Sequence, residues 1–215
     1  NTDALIAFGA GIVGALTFAF TDSHWFNAVE AEVYAFSTFF TAIVVWLALL
    51  WSEKADEKGN ERYILIISYM IGLATGLHLL NLLTIPFVAL LIYFRKFKFE
   101  WASFGILVAL TGLVFFIIHN VIIKGMPKIA SAIGVPLTGI LIIAIFVGMV
   151  WAILNQKQLT SIVLTSMVLV LIGYSTYALI FIRSNQDPGI DENDPETVEA
   201  FISYLEREQY GDVGM

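Results

Sequence analysis

The sequence contains no cysteine, and only 13% of its 215 residues are charged. The lack of cysteine excludes disulfide bonds and thiolate metal sites. Hydrophobic residues make up 59% of the chain, more than a soluble domain of this length can bury. The chain is therefore expected to lie in a lipid bilayer.

Seven hydrophobic runs predict an all-α, polytopic transmembrane helix bundle with about seven spans. Most of the runs approach the roughly 20 residues that cross a hydrocarbon core of about 30 Å. They cover residues 4–20, 33–51, 63–80, 82–94, 101–118, 135–154 and 159–182. We expect residues 1–182 to form the bundle, and residues 183–215 to form an external acidic segment with an amphipathic helix.

The third and fourth runs are short for two full crossings. Residues 63–94 would cover about 48 Å at a rise of ~1.5 Å per residue, whereas two spans need about 60 Å. If both cross, the turn at 78–81 lies below the membrane surface, inside protein or beside a water-filled cavity. The alternative is one tilted helix, which would put the basic residues at 95–98 outside.

Lys and Arg in the connections predict the orientation. Connections 52–62, 95–98 and 155–158 hold seven basic residues, and the opposite side holds four. Because cytoplasmic loops are enriched in Lys and Arg, we expect an inner-membrane protein with its N-terminus inside and its tail outside. His24, His78 and His119 then share the external side, which indicates one polar site there.

The acidic tail accounts for the net charge of −7. Residues 183–215 contain nine acidic and two basic residues. This balance argues against nucleic acid as a partner and against docking on anionic lipid. Asp194 and Pro195 predict the N-cap and first residue of a helix that lies on the bundle or opens an external domain.

The first external connection is rich in polar residues. Asp22 is expected to cap the helix that follows it. Glu30 begins a polar stripe that leads into the bundle, while Glu32 lies nearly opposite. Glu30 is thus a candidate site residue, or else a structural carboxylate bonded to neighbouring helices.

His78 and Asn81 are three residues apart and would share a face of a continuing helix. The other side of that helix carries Ser68, Gly72 and Gly76, a row of small residues that permits close helix packing. The alternative for His78 is a hydrogen-bonded interior residue. Arg183, at the end of the last run, either clamps a lipid phosphate or extends to the headgroups.

Motifs for soluble chemistry are absent from the sequence. It has no Walker loop, no dinucleotide fingerprint and no Gly-x-Ser-x-Gly elbow. No two histidines lie within five residues of each other, so a divalent metal is the weaker alternative and no cofactor is expected.

Several ordered stretches resemble a bacterial multi-spanning family related to the eukaryotic transmembrane protein O-mannosyltransferases. They are GAGIVGAL through DSHWF (9–26), VEAEVYA (29–35), HLLN (78–81), IRS (182–184), IDEN (190–193) and YLEREQYGD (204–212). The resemblance implies a fold of the GT-C glycosyltransferase type. It also implies a lipid-linked sugar donor, carried on polyprenyl phosphate, and an exported protein as acceptor at the external face.

The resemblance and the predicted topology together select the candidate site. The catalytic candidates are Glu30 and His78, and the substrate-binding candidates are Asp22, Glu32, Tyr34, Asn81 and Arg183. The family's acidic Asp-Cys-Gly-Glu motif is missing, so we expect the chain to be a piece of a larger protein. His24 stands where relatives tend to have an aromatic residue. A transporter and a non-catalytic scaffold subunit remain the alternative functions.

The predicted topology is testable because the natural sequence has no cysteine. Single cysteines introduced at Lys58 and Gln186 should react with a membrane-impermeant thiol reagent from opposite sides of intact cells. Labelling of both positions from outside would contradict the predicted orientation.

Overall fold

The computed structural model describes residues 2–30, 33–206, 208 and 211, and this part of the chain is helical without strands. Its α-helices are α1 (Thr2–Ala19), α2 (Asp22–Val29), α3 (Tyr34–Glu53), α4 (Glu61–Thr75), α5 (Thr84–Lys96), α6 (Trp101–Phe116), α7 (Gly125–Ile133), α8 (Val135–Leu154), α9 (Gln158–Tyr174), α10 (Ala178–Ser184) and α11 (Val198–Glu206).

Six helical stretches in the described part are long and apolar enough to cross a membrane. They are Thr2–Ala19, Tyr34–Glu53, Leu79–Lys96, Trp101–Ile123, Val135–Leu154 and Gln158–Ser184. The prediction of a polytopic helical bundle is confirmed. The seventh apolar helix, α4, has 15 residues. At a rise of ~1.5 Å it covers about 22 Å, less than the hydrocarbon core.

Two expected helix boundaries differ from the structure. The third run was expected to reach residue 80, but α4 ends at Thr75 and a 3₁₀ turn at Leu79–Leu83 precedes α5. The alternative of one tilted helix over residues 63–94 is therefore wrong. The fifth run was expected to end at residue 118, but α6 continues into a π-helical segment, Ile117–Ile123. His119 therefore lies within a helical stretch and not at its end.

Helices α4 and α9 cross with their backbones in close contact. A Cβ atom added to Gly72 would lie 2.5 Å from the Val170 carbonyl oxygen, and one added to Gly173 would lie 2.5 Å from the Leu73 nitrogen. Neither position has room for a larger residue. The prediction that the small-residue row of α4 permits close packing is confirmed at Gly72.

Two tyrosines of the last span hold other helix ends beside α9. The Tyr174 hydroxyl donates to the Ile123 carbonyl (2.9 Å), and the Tyr177 hydroxyl donates to the Thr75 carbonyl (2.8 Å). Because carbonyls at a helix end lack partners within their own helix, these bonds satisfy groups that would otherwise be costly to bury. The C-terminal ends of α4 and of the π-helical segment thus meet α9.

An ion cluster joins the connections at the other end of the bundle. Asp56, between α3 and α4, accepts hydrogen bonds from Arg95 (2.5 Å) and Lys96 (2.9 Å) at the end of α5. The bond from Lys96, and next that from Arg95, lowers the pKa of the Asp56 carboxyl group. The two most basic connections therefore lie at the same end of the bundle, as the predicted topology requires. The membrane side of that end stays a prediction.

The acidic tail packs back on the bundle. Helix α11 lies against α7 through an ion pair between Glu206 and Lys128, and Phe201 contacts Phe181 edge to face, with ring centroids 6.1 Å apart. The predicted cap at Asp194 is wrong. The helix begins at Val198, and the Thr197 hydroxyl accepts the Ala200 N–H at 3.1 Å.

Replacing Gly173 tests the α4–α9 crossing. Gly173→Ala should lower the free energy of unfolding by about 1–3 kcal/mol, because the new methyl group forces two backbones apart. Gly112→Ala, in α6, is the matched control, since its Cβ would meet nothing within 4 Å. It should be neutral or slightly stabilising. Thermal unfolding in detergent measures both, and equal effects would contradict the crossing.

Candidate functional site

A polar cavity of about 480 Å³ lies at the end of the bundle where α3 begins and where α4 and the π-helical segment end. Its lining comes from six separate parts of the chain. The lining residues are Val33, Tyr34, Thr75, Gly76, Leu77, His78, Leu79, Ile123, Lys124, Tyr177, Glu192, Tyr204 and Leu205. The volume is in the range of small-molecule sites.

The break between α4 and α5 forms one wall of this cavity. The chain leaves the helix after Gly76, and His78 has an extended backbone (φ −155°, ψ 128°). The Thr84 hydroxyl donates to the Asn81 carbonyl (2.7 Å), and the Asn81 amide donates to the His78 carbonyl (3.1 Å). These side-chain bonds add to the backbone N–H groups of Asn81 and Thr84, which donate to the same two carbonyls.

Asn81 is buried, with 3% of its surface exposed, and does not line the cavity. Its side-chain oxygen accepts the Thr41 hydroxyl of α3 at 2.9 Å. The expectation that His78 and Asn81 share one helix face is wrong, because the break turns the chain between them. Asn81 supports the wall on which His78 lies.

His78 lines the cavity beside Tyr34, and their ring centroids are 5.5 Å apart. The His78 Nδ1 atom accepts the Leu80 backbone N–H at 3.2 Å. In a neutral imidazole the other nitrogen, Nε2, then carries the proton. His78 is therefore set up to donate a hydrogen bond through Nε2, a role that suits the positioning of a substrate oxygen.

Lys124 and Glu192 also line the cavity, and neither was selected from the sequence. Lys124 follows the π-helical segment, and its backbone N–H donates to the His119 carbonyl (3.3 Å). The sequence signal for Lys124 is its place at the end of a span on the histidine side. Glu192 lies in the IDEN stretch that carried the resemblance.

The loop that carries Glu192 is held by hydrogen bonds on both sides. The Ser184 hydroxyl donates to the Asp191 carboxylate (2.7 Å), and the Asn185 amide donates to the Glu196 carbonyl (3.3 Å). Pro195 is among the most deeply buried side chains. The tail thus places an acidic residue at the cavity.

Among the described residues of the first connection and the start of α3, Val33 and Tyr34 line the cavity. Asp22 is the exposed first residue of α2, and Thr21 occupies the N-cap position, which corrects the predicted cap. Glu30 is exposed at the end of α2 and does not line the cavity. A break before Tyr34 interrupts the predicted stripe. Glu32 lies outside the described residues.

Arg183 lies away from the cavity, exposed on α10. It borders a second, open groove of about 370 Å³ with Leu179, Ile180, Ile182 and Gln186. Among the described residues it forms no ion pair. The structure therefore does not bring Arg183 together with His78.

The three histidines do not form one site. His24 packs its ring on Phe18, with centroids 4.4 Å apart, and His119 contacts Phe115 at 6.1 Å. Of the three, His78 lines the cavity. Within residues 2–30, 33–206, 208 and 211, no group of three His, Asp or Glu residues is arranged to hold a metal ion.

Comparison with known protein families gives a match to the first part of the chain. Residues 1–101 match the family model described as the protein O-mannosyl-transferase TMEM260 N-terminal domain. No curated protein and no solved structure matches the chain. The matched part includes Tyr34 and His78, but not Lys124, Arg183 or Glu192. The first 101 residues are thus similar to the N-terminal domain of a protein O-mannosyltransferase family.

Replacing Thr41 tests the structural role of Asn81. Thr41→Val keeps the side-chain shape but leaves the buried Asn81 oxygen without a donor, so the free energy of unfolding should fall by about 1–3 kcal/mol. Thr38→Val is the matched control on the same helix, because the exposed Thr38 hydroxyl bonds only to the Tyr34 carbonyl. It should change stability by less than about 0.5 kcal/mol. Equal losses in thermal unfolding would contradict this role.

Proposed function

We propose that this chain is part of a membrane glycosyltransferase that moves a mannose-like sugar from polyprenyl phosphate to a protein hydroxyl group at the external membrane face. The observation that carries the proposal is the family match over residues 1–101, which contribute Tyr34 and His78 to the polar cavity at one end of the bundle.

A lipid-linked donor suits the position of this cavity. Such a donor stays in the bilayer through its hydrocarbon chain and presents its phosphate and sugar at the surface, where the spans end. It requires no nucleotide-binding domain, and the sequence has none of the usual nucleotide-binding motifs. The acceptor is a serine or threonine hydroxyl group of an exported protein.

The proposed reaction is an inverting displacement. A carboxylate takes the proton of the acceptor hydroxyl, the hydroxyl oxygen bonds to the anomeric carbon, and the bond from that carbon to the phosphate oxygen breaks. Polyprenyl phosphate leaves with the electron pair. Glu30, three residues before Val33 in the cavity wall, is proposed to position the sugar or the acceptor for this step.

The other candidates bind and orient the substrates. His78 donates a hydrogen bond through Nε2, Tyr34 offers a ring beside it, and Asn81 holds the wall from behind. Asp22 lies on the connection that leads to this wall, where it can contact an acceptor chain. Glu32 is proposed for the same role from the sequence alone. A cation must stabilise the departing phosphate. Arg183, the candidate selected from the sequence, borders the separate groove and not the cavity.

A transporter is the second candidate, and the interrupted helices favour it. The break after α4 meets a 3₁₀ turn at Ser175–Tyr177 in the last span, where Tyr177 bonds to Thr75. Transporters place substrate sites at such discontinuous helices. Movement of a labelled lipid-linked sugar across vesicles without transfer to peptide would support this candidate over the enzyme.

Replacing Glu30 and His78 in the intact protein tests the enzyme. Glu30→Gln and His78→Ala should each lower transfer from a labelled polyprenyl-phosphate sugar to a serine-containing peptide by at least about tenfold, or roughly 1.4 kcal/mol of transition-state stabilisation. Glu57→Gln, an exposed residue at the other end of the bundle, is the control and should retain full activity. Full transfer by both site variants would remove these residues from the reaction.

A further inference from the structure

Two opposite charges line the cavity without contacting each other. Lys124 is half-buried, Glu192 is exposed, and no ion pair joins them. Charged residues close to them in sequence do have partners. Lys128, one turn after Lys124, is paired with Glu206, and Asp191, next to Glu192, is bonded to Ser184. Within the described residues, neither of the two charges that line the cavity has an ion-pair partner.

This arrangement indicates the chemistry of a ligand. A half-buried ammonium group without a carboxylate partner favours an anion, because the anion replaces hydration that burial removes. An ionised carboxylate only accepts hydrogen bonds and therefore binds hydroxyl groups. Since the two groups are separated, one molecule that has an anionic part and a hydroxyl-bearing part can contact both.

We propose that the cavity binds the sugar-phosphate part of the donor, with the phosphate at Lys124 and the sugar hydroxyl groups between Glu192 and His78. This assignment rests on the proposed function and deepens it. It makes Lys124, and not Arg183, the cation that holds the phosphate, because Lys124 lines the cavity with His78 whereas Arg183 borders a separate, largely apolar groove.

The two ends of the ligand are tested separately by equilibrium binding to the intact protein in detergent. The probes are a polyprenyl-phosphate hexose, the same polyprenyl phosphate without sugar, and a soluble hexose 1-phosphate as competitor. Lys124→Met should weaken binding of both lipids by about tenfold or more, as expected for a charged hydrogen bond. Lys124→Arg should retain most of the affinity.

Glu192→Gln should act only on the sugar. It should weaken binding of the hexose-bearing lipid severalfold and leave the sugar-free lipid unchanged. Because Glu192 is exposed, this variant is expected to fold even if Lys124→Met does not. Lys157→Met removes one charge at the opposite end of the bundle and should bind both lipids as the wild type does.

Three results would overturn the assignment. They are unchanged lipid affinity in Lys124→Met, loss of affinity in Arg183→Met but not in Lys124→Met, and an unchanged preference for the hexose-bearing lipid in Glu192→Gln. If hexose 1-phosphate competes with the lipid, the headgroup alone occupies the cavity. If hexose 1-phosphate binds in a Lys124-dependent way while neither lipid binds, the result contradicts a lipid donor. If the lipids bind in a Lys124-dependent way but the protein has no transferase activity, the proposed function is refuted, whereas the assignment of the binding site still holds.

Discussion

The satisfaction of backbone polar groups at the break between α4 and α5 is the constraint on which this structure depends. In a membrane there is no water to bond the carbonyls that an interrupted helix exposes. Asn81 contributes to that role: its backbone N–H and its side-chain amide both donate to the His78 carbonyl, and its side-chain oxygen accepts the Thr41 hydroxyl. His78 then lies on an extended backbone and lines the cavity beside Tyr34.

The helical architecture was predictable from the sequence because run length and apolarity follow directly from the thickness of the bilayer. The break was also predictable, since residues 63–94 are too many for one span and too few for two. The direction of Asn81 was not, because helical periodicity no longer holds across a break. The start of α11 was missed for a local reason: Asp194 has a positive φ of 45°, which a helix N-cap does not adopt.

The charged part of the cavity could not be selected from the sequence, because Lys124 and Glu192 belong to segments that only tertiary packing brings together. Lys124 is placed by the Tyr174–Ile123 bond, and Glu192 by the Ser184–Asp191 bond. Residues 1–101, which match the family model, supply the uncharged aromatic and imidazole wall. The second half of the chain supplies the charges, so a relative that shares only the matched part would share the wall without them.

The order in which the cavity wall is synthesised has a consequence for biogenesis. Tyr34 enters the membrane early, whereas Glu192 and Leu205 leave the ribosome only after the last span. Because chains are made and folded from the N-terminus onward, and contacts distant in sequence form late, the cavity closes only after the segment that carries Glu192 and Leu205 has been made. A nascent chain therefore carries an open cleft between inserted helices until this segment packs against them.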